Sequence, residues 1–233
     1  MDYIVRMKAL ILDFDGVIVD SARECFLVAL QAYLRECPKS ALVHRKAREL
    51  YDPFVELIPL GNRAEDYGTV LRALEDGKTL EDQEAYDEFR NALDAIWLLK
   101  FHEEFYRIRE TMASRDPVSW CDLIRPHGPF LDVLRRQAGR VAYAIATSKD
   151  RQSVDALLSR FGVADLFPAQ LILDKEVGAS KIAHLTRLQE LLEMEPAEMT
   201  FVDDKVNHLD SVAPLGVRCG LATWGYNGAR EHE

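Results

Sequence analysis

The four cysteines, Cys25, Cys37, Cys121 and Cys219, are widely separated and form no C-x-x-C pair. Met1 to Met7 carries no signal-peptide pattern. Without one, the thiols are expected to stay reduced and the protein to be cytoplasmic. No apolar run approaches the length of a membrane span, and neither an internal repeat nor a low-complexity segment is present. Positive charge is also short: 29 Lys and Arg against 39 Asp and Glu leave a net charge of −10, which argues against nucleic acid as a partner. It does not argue against small anionic substrates, since a few local cations can dominate one pocket. What remains is the composition of a globular protein, 48% hydrophobic and 29% charged, in 233 residues that allow one large domain or two small ones.

The informative stretch is Lys8 to Ser21, K-A-L-I-L-D-F-D-G-V-I-V-D-S. Ala9 to Leu12 is too short for a helix and fits a strand buried on both faces. It ends in two acids, Asp13 and Asp15, before Gly16, which supplies the backbone freedom of a sharp turn. Carboxylates at the end of a core strand need compensation, and a divalent cation, with Mg²⁺ favoured by hard oxygen donors, would supply it. An Asp-rich turn is the bland alternative. The flanks, including Asp20-Ser21, decide against it: D-F-D-G-V-I-V-D-S resembles the first signature of the haloacid dehalogenase-like phosphohydrolases.

Ser21 and Glu24 have capping-box spacing, and apolar positions predict a helix from there to Pro38. Further helices are predicted at 41–50, ending before Asp52-Pro53, at 64–74, and along 81–112, a length that allows one break. No strand is predicted between Ser21 and Arg125. After Pro126-His127-Gly128-Pro129 the pattern changes: helix 130–137, strand 141–147, helix 151–161, strand 171–173, helix 180–194, strand 199–204 and strand 217–222. Such alternation implies a parallel sheet. The expected fold is therefore α/β, a Rossmann-like parallel sheet core of residues 1–20 and 126–233, with an inserted all-helical cap of residues 21–125. The family it resembles has this architecture.

Ligands bind beyond the carboxyl ends of parallel strands. Three strands end there in polar residues: Asp13 with Asp15, Thr147 with Ser148, and Asp203 with Asp204. A-I-A-T-S resembles the family's second motif and T-F-V-D-D its fourth. The resemblance implies Asp13 as nucleophile, forming an aspartyl-phosphate, and Asp15 as general acid/base. That role needs an initial proton on Asp15, hence a pKa raised relative to Asp13, whose carboxylate must stay ionised. It also implies Mg²⁺ on Asp13, the Asp15 carbonyl and Asp204. The phosphate would be held by the Thr147 hydroxyl and by backbone N–H groups of Phe14, Asp15 and Ser148. Aligned on the Gly-Asp form of that fourth motif, Asp204 takes the metal-ligand place and Asp203 the glycine place, while His208 stands where the motif often has another acid, leaving Asp203 or His208 to complete the outer shell. For the required cation, Lys181 in G-A-S-K-I-A-H-L resembles the third motif. Lys175 lies between Asp174 and Glu176, where local pairing accounts for it.

The tail L-A-T-W-G-Y-N is similar to that of phosphoglycolate phosphatases. The expected activity is Mg²⁺-dependent hydrolysis of a small phosphorylated metabolite. A phosphomutase of the β-phosphoglucomutase type would use the same acids, and a non-catalytic interaction protein could use the cap as a docking surface. Arg45, Lys46, Arg48, Arg63, Arg107 and Arg109 are cap candidates for substrate charge, each more readily read as solvent-exposed.

Overall fold

A computed structural model describes residues 7–61, 63–178 and 180–232. The stretch read for a signal pattern lies almost wholly outside them, as does Ala179 before Lys181. The chain divides into two compact units, Met1–Asp20 with Arg125–Glu233, and Ser21–Ile124.

Among the described residues, the first unit has seven strands: β1 (Ala9–Leu12), β2 (Val19–Asp20), β3 (Arg125–Pro126), β4 (Ala142–Ala146), β5 (Ile172–Leu173), β6 (Met199–Asp203) and β7 (Arg218–Leu221). Five form one parallel sheet in the order β5-β4-β1-β6-β7. β1 is central and apolar on both faces, with Ala9, Ile11 and Leu12 fully buried. A strand flanked on both sides must be so, because helices cover the two faces of such a sheet. Leu12 pairs with Ile145 on one side and with Val202 on the other. The register therefore brings the strand ends Asp13, Thr147 and Asp203-Asp204 to the same edge.

β2 and β3 form an antiparallel ribbon, Val19 opposite Pro126 and Asp20 opposite Arg125. Arg125 thus belongs to a strand that the sequence pattern does not announce, since two residues carry no periodicity.

The second unit is helical: α1 (Ala22–Glu36), α2 (Ala47–Leu57), α3 (Ala64–Glu75), α4 (Gln83–Asn91), α5 (Ala95–Arg115) and α6 (Pro117–Cys121). The long 81–112 pattern breaks once, between α4 and α5, where the Asp94 side chain accepts from Ile96 N–H and caps α5. Edge-on aromatic contacts of Phe26 with Tyr51 (5.4 Å) and with Phe54 (5.2 Å) tie α1 to α2.

Three expectations need correction here. The helix predicted at 41–50 is a 3₁₀ turn, Ala41–His44, followed by α2, which runs through Pro53 instead of stopping before it. Leu50, Phe54 and Ile58 are buried at four-residue spacing, and burying that stripe outweighs the one hydrogen bond that proline forgoes. The Ser21–Glu24 capping box does not form: Ser21 precedes α1 without a side-chain cap bond. Glu24 instead accepts from Arg109 Nε (2.8 Å) and Nη2 (2.7 Å) and from Trp120 Nε1 (3.2 Å), all buried. Arg109, read as solvent-exposed, is thus an interior ion-pair partner. Arg45, Lys46, Arg48, Arg63 and Arg107 are exposed. Among the described residues, no helix is long and apolar enough to cross a membrane.

Candidate active site

The loop after β1 turns at once. Gly16 has φ +84, Gly16 N–H bonds to Val19 O (2.7 Å), and Ile18 N–H bonds to Phe14 O (2.9 Å). Two constraints fix glycine here: the left-handed backbone, and the Asp204 carboxylate, on which a Cβ would fall. The turn leaves Asp13 buried at the end of the central strand, while Asp15 is more open.

Lys181 opens the helix Lys181–Leu192, capped by Ser180, whose hydroxyl accepts from Ala183 N–H (3.2 Å). A lysine in a first helical turn is unfavourable to the helix dipole and needs an offsetting partner. It has two. Lys181 Nζ lies 2.8 Å from Asp13 Oδ1 and 3.3 Å from Asp203 Oδ2, and also donates to Ala146 O at 2.7 Å. Its side chain is buried, and although burial disfavours the ammonium, the two carboxylates hold its pKa above the ordinary lysine value. Lys175 is exposed, 3.9 Å from Glu176.

The three buried acids behave differently. Burial raises the Asp13 carboxyl above its usual range; Lys181 works against this and Asp203 adds to it. The expectation leaves the ionisation of Asp13 to bound Mg²⁺, whose positive charge would act in the same direction as Lys181. Burial would raise Asp203 too, but Lys181 and the His208 hydrogen bond outweigh it and hold that carboxyl well below the usual range. His208 Nδ1 lies 3.0 Å from Asp203 Oδ2. Asp204 is pushed up to about 8, first by burial, against Lys205, with Asp13 and Asp203 raising it further and the Tyr226 N–H lowering it.

Asp203 therefore occupies more than the place of a motif glycine: it is the second anchor of Lys181. Ligand atoms of Asp13, Asp203 and His208 lie within 4.8 Å of one another. The Lys181 ammonium already stands against two of them, so that group has its cation. Asp204 lies against the Gly16 turn and near enough to Asp13 for the two carboxyls to interact, which puts hard oxygen donors together at the strand edge. Mg²⁺ fits such a donor set.

Thr147 is buried, and its Oγ1 accepts from Lys149 N–H at 3.1 Å; Ser148 is exposed. The sequence pattern gave Lys149 no role. Its buried ammonium lies 3.1 Å from Asp15 Oδ1 and 3.4 Å from Oδ2. The available signal was a lysine directly behind a strand-end Thr-Ser, but the direction of its side chain is not legible in sequence.

These features converge on one class. The sequence model of the haloacid dehalogenase-like hydrolases matches residues 7–216, and the chain belongs to that family. Among solved structures, it is similar to one titled a predicted phosphoglycolate phosphatase from Haemophilus somnus 129pt, with TM-score 0.68 and 18% identity over 97% of this chain and 91% of that one. A haloacid dehalogenase-like structure from Bacteroides fragilis gives TM-score 0.70 and 17% identity, covering 97% and 92%. A HAD-superfamily hydrolase of subfamily IA from Geobacter sulfurreducens gives 0.55 and 20%, covering 91% and 85%. At these identities the likeness is one of fold. No curated protein matches in sequence.

Proposed function

We propose that the chain hydrolyses a small phosphorylated metabolite through an aspartyl-phosphate on Asp13. The observation that carries this reading is the pairing of Asp13 with Lys181 at 2.8 Å on the edge where three parallel strands end. A carboxylate there can attack phosphorus while the ammonium meets the phosphoryl oxygens, and the Thr147 hydroxyl lies at the neighbouring strand end. One Asp13 oxygen forms the new bond to phosphorus, and the bond from phosphorus to the ester oxygen breaks. Asp15 gives a proton to that oxygen, then takes one from the water that cleaves the acyl-phosphate. The Lys149 ammonium beside Asp15 favours its carboxylate form in the empty site, so the proton that Asp15 gives up is taken on as the phosphate dianion enters and draws Lys149 to itself. Asp13, the Asp15 carbonyl and Asp204 would hold Mg²⁺, which when bound offsets charge on the transferring group.

Several of the similar structures are described as predicted or putative phosphoglycolate phosphatases, which favours a small anionic phosphomonoester as substrate. A panel of phosphorylated metabolites assayed with Mg²⁺ tests this. Phosphate release from at least one member, abolished by chelator and restored by Mg²⁺, is expected. Isomerised sugar phosphate without free phosphate would favour a phosphomutase instead. No turnover of any member would count against the reading.

A further inference from the structure

The segment after β7, Ala222-Thr223-Trp224-Gly225-Tyr226-Asn227, has no part in the chemistry above, yet it is bound closely to it. Tyr226 N–H donates to Asp204 Oδ2 at 2.7 Å. Asn227 Nδ2 donates to the Asp204 carbonyl at 3.2 Å and to Ala222 O at 2.8 Å, while Asn227 Oδ1 lies 2.6 Å from His232 Nε2. Gly225 lies against the Asp204 side chain and the Gly16 carbonyl, and a Cβ at 225 would collide with both. Trp224 Nε1 donates to Val17 O at 3.1 Å, and the Tyr226 hydroxyl reaches Asp20 Oδ1 at 3.0 Å.

We propose that this loop is a positioning device: it fixes the Asp204 carboxylate against the Gly16 turn so that a cation finds the oxygen set already assembled. This rests on the Mg²⁺ site argued above. Its logic is energetic. Asp204 is almost wholly buried beside two other acids, an unfavourable place for a carboxylate. The Lys205 charge and the Tyr226 N–H offset only part of that cost. A loop serving stability alone would gain more from an apolar residue at 204. One that holds a carboxylate in this position is explained by a cation that recovers the difference on binding. Residues behind a ligand typically matter about 10–100-fold in metal affinity. The loop acts on one ligand's orientation, so its effect falls on cation binding and not on phosphate contacts.

The test is Mg²⁺ titrated calorimetrically into the intact chain, into Gly225→Ala and into Asn227→Ala, with melting of each in chelator to establish folding. Gly225→Ala is expected to weaken Mg²⁺ binding about 10–100-fold and Asn227→Ala by a smaller factor. In both, the Mg²⁺-induced rise in Tm should shrink, and substrate KM at saturating Mg²⁺ should hold. If Gly225→Ala does not fold, Asn227→Ala carries the test alone. Folded variants with unchanged Mg²⁺ affinity, or with lower Tm but an undiminished Mg²⁺-induced rise, would overturn the inference while the metal site stands. No binding by the unsubstituted chain would overturn both.

Discussion

Lys181 Nζ stands between two carboxylates from different strands, 2.8 Å from Asp13 and 3.3 Å from Asp203. The helix-opening residue thereby spans the ends of β1 and β6. Lys181→Met keeps the apolar stem and removes the charge. It should lower kcat/KM by ~10-fold or more, the scale of a lost charge-assisted hydrogen bond. It should also lower Tm, because two buried acids lose their common partner. Lys175→Met, on an exposed side chain, should change neither. The reverse ranking would move the catalytic cation to Lys175.

Lys149 should matter through Asp15. Removing its ammonium frees the Asp15 side chain that would deliver the leaving-group proton. Lys149→Met is expected to slow turnover of alkyl phosphates by ~10-fold or more, and of p-nitrophenyl phosphate, whose leaving group needs little protonation, by less. Equal losses on both would show that Lys149 acts elsewhere.

Much of this site is legible in the sequence, for a physical reason. Apolar runs that stop in acids or hydroxyls, at Asp13, Thr147 and Asp203-Asp204, are the signature of strands ending at a ligand edge. Parallel pairing then aligns those ends whatever lies between them. What is not legible depends on contacts across long separations. Glu24 has the spacing of a cap but finds Arg109, 85 residues on. Lys149 reaches back 134 residues to Asp15. Asp203 reads as a substituted glycine until Lys181 is seen against it. Pro53 reads as a stop because its missing N–H is visible in sequence and the buried stripe it joins is not.

The acids also predict a dependence of stability on pH. Asp204 is raised from 3.8 to about 8 in the folded chain. Between those values the folded, cation-free protein holds a proton that the unfolded chain gives up. Stability contributed by this group is therefore full below about 4 and falls as pH rises toward 8. Asp13, also raised, adds in the same direction. Tm in chelator should drop across that window, Mg²⁺ should remove most of the drop, and Asp204→Asn should flatten the curve. His127 and His184, both lowered by burial, act in the opposite sense below about 6.5, so the deciding quantity is the difference from Asp204→Asn: identical curves for the two proteins would contradict the charge arrangement described.

Covalent catalysis by Asp13 is the central claim, and acid-quench of the first turnover with a ³²P-labelled substrate from the metabolite panel tests it most directly. The label should appear on the chain as an acyl-phosphate within one turnover, map to the peptide holding Asp13, and be absent in a folded Asp13→Asn variant that has lost nearly all activity. Steady release of phosphate with no label on the chain, or wild-type turnover by Asp13→Asn, would contradict it.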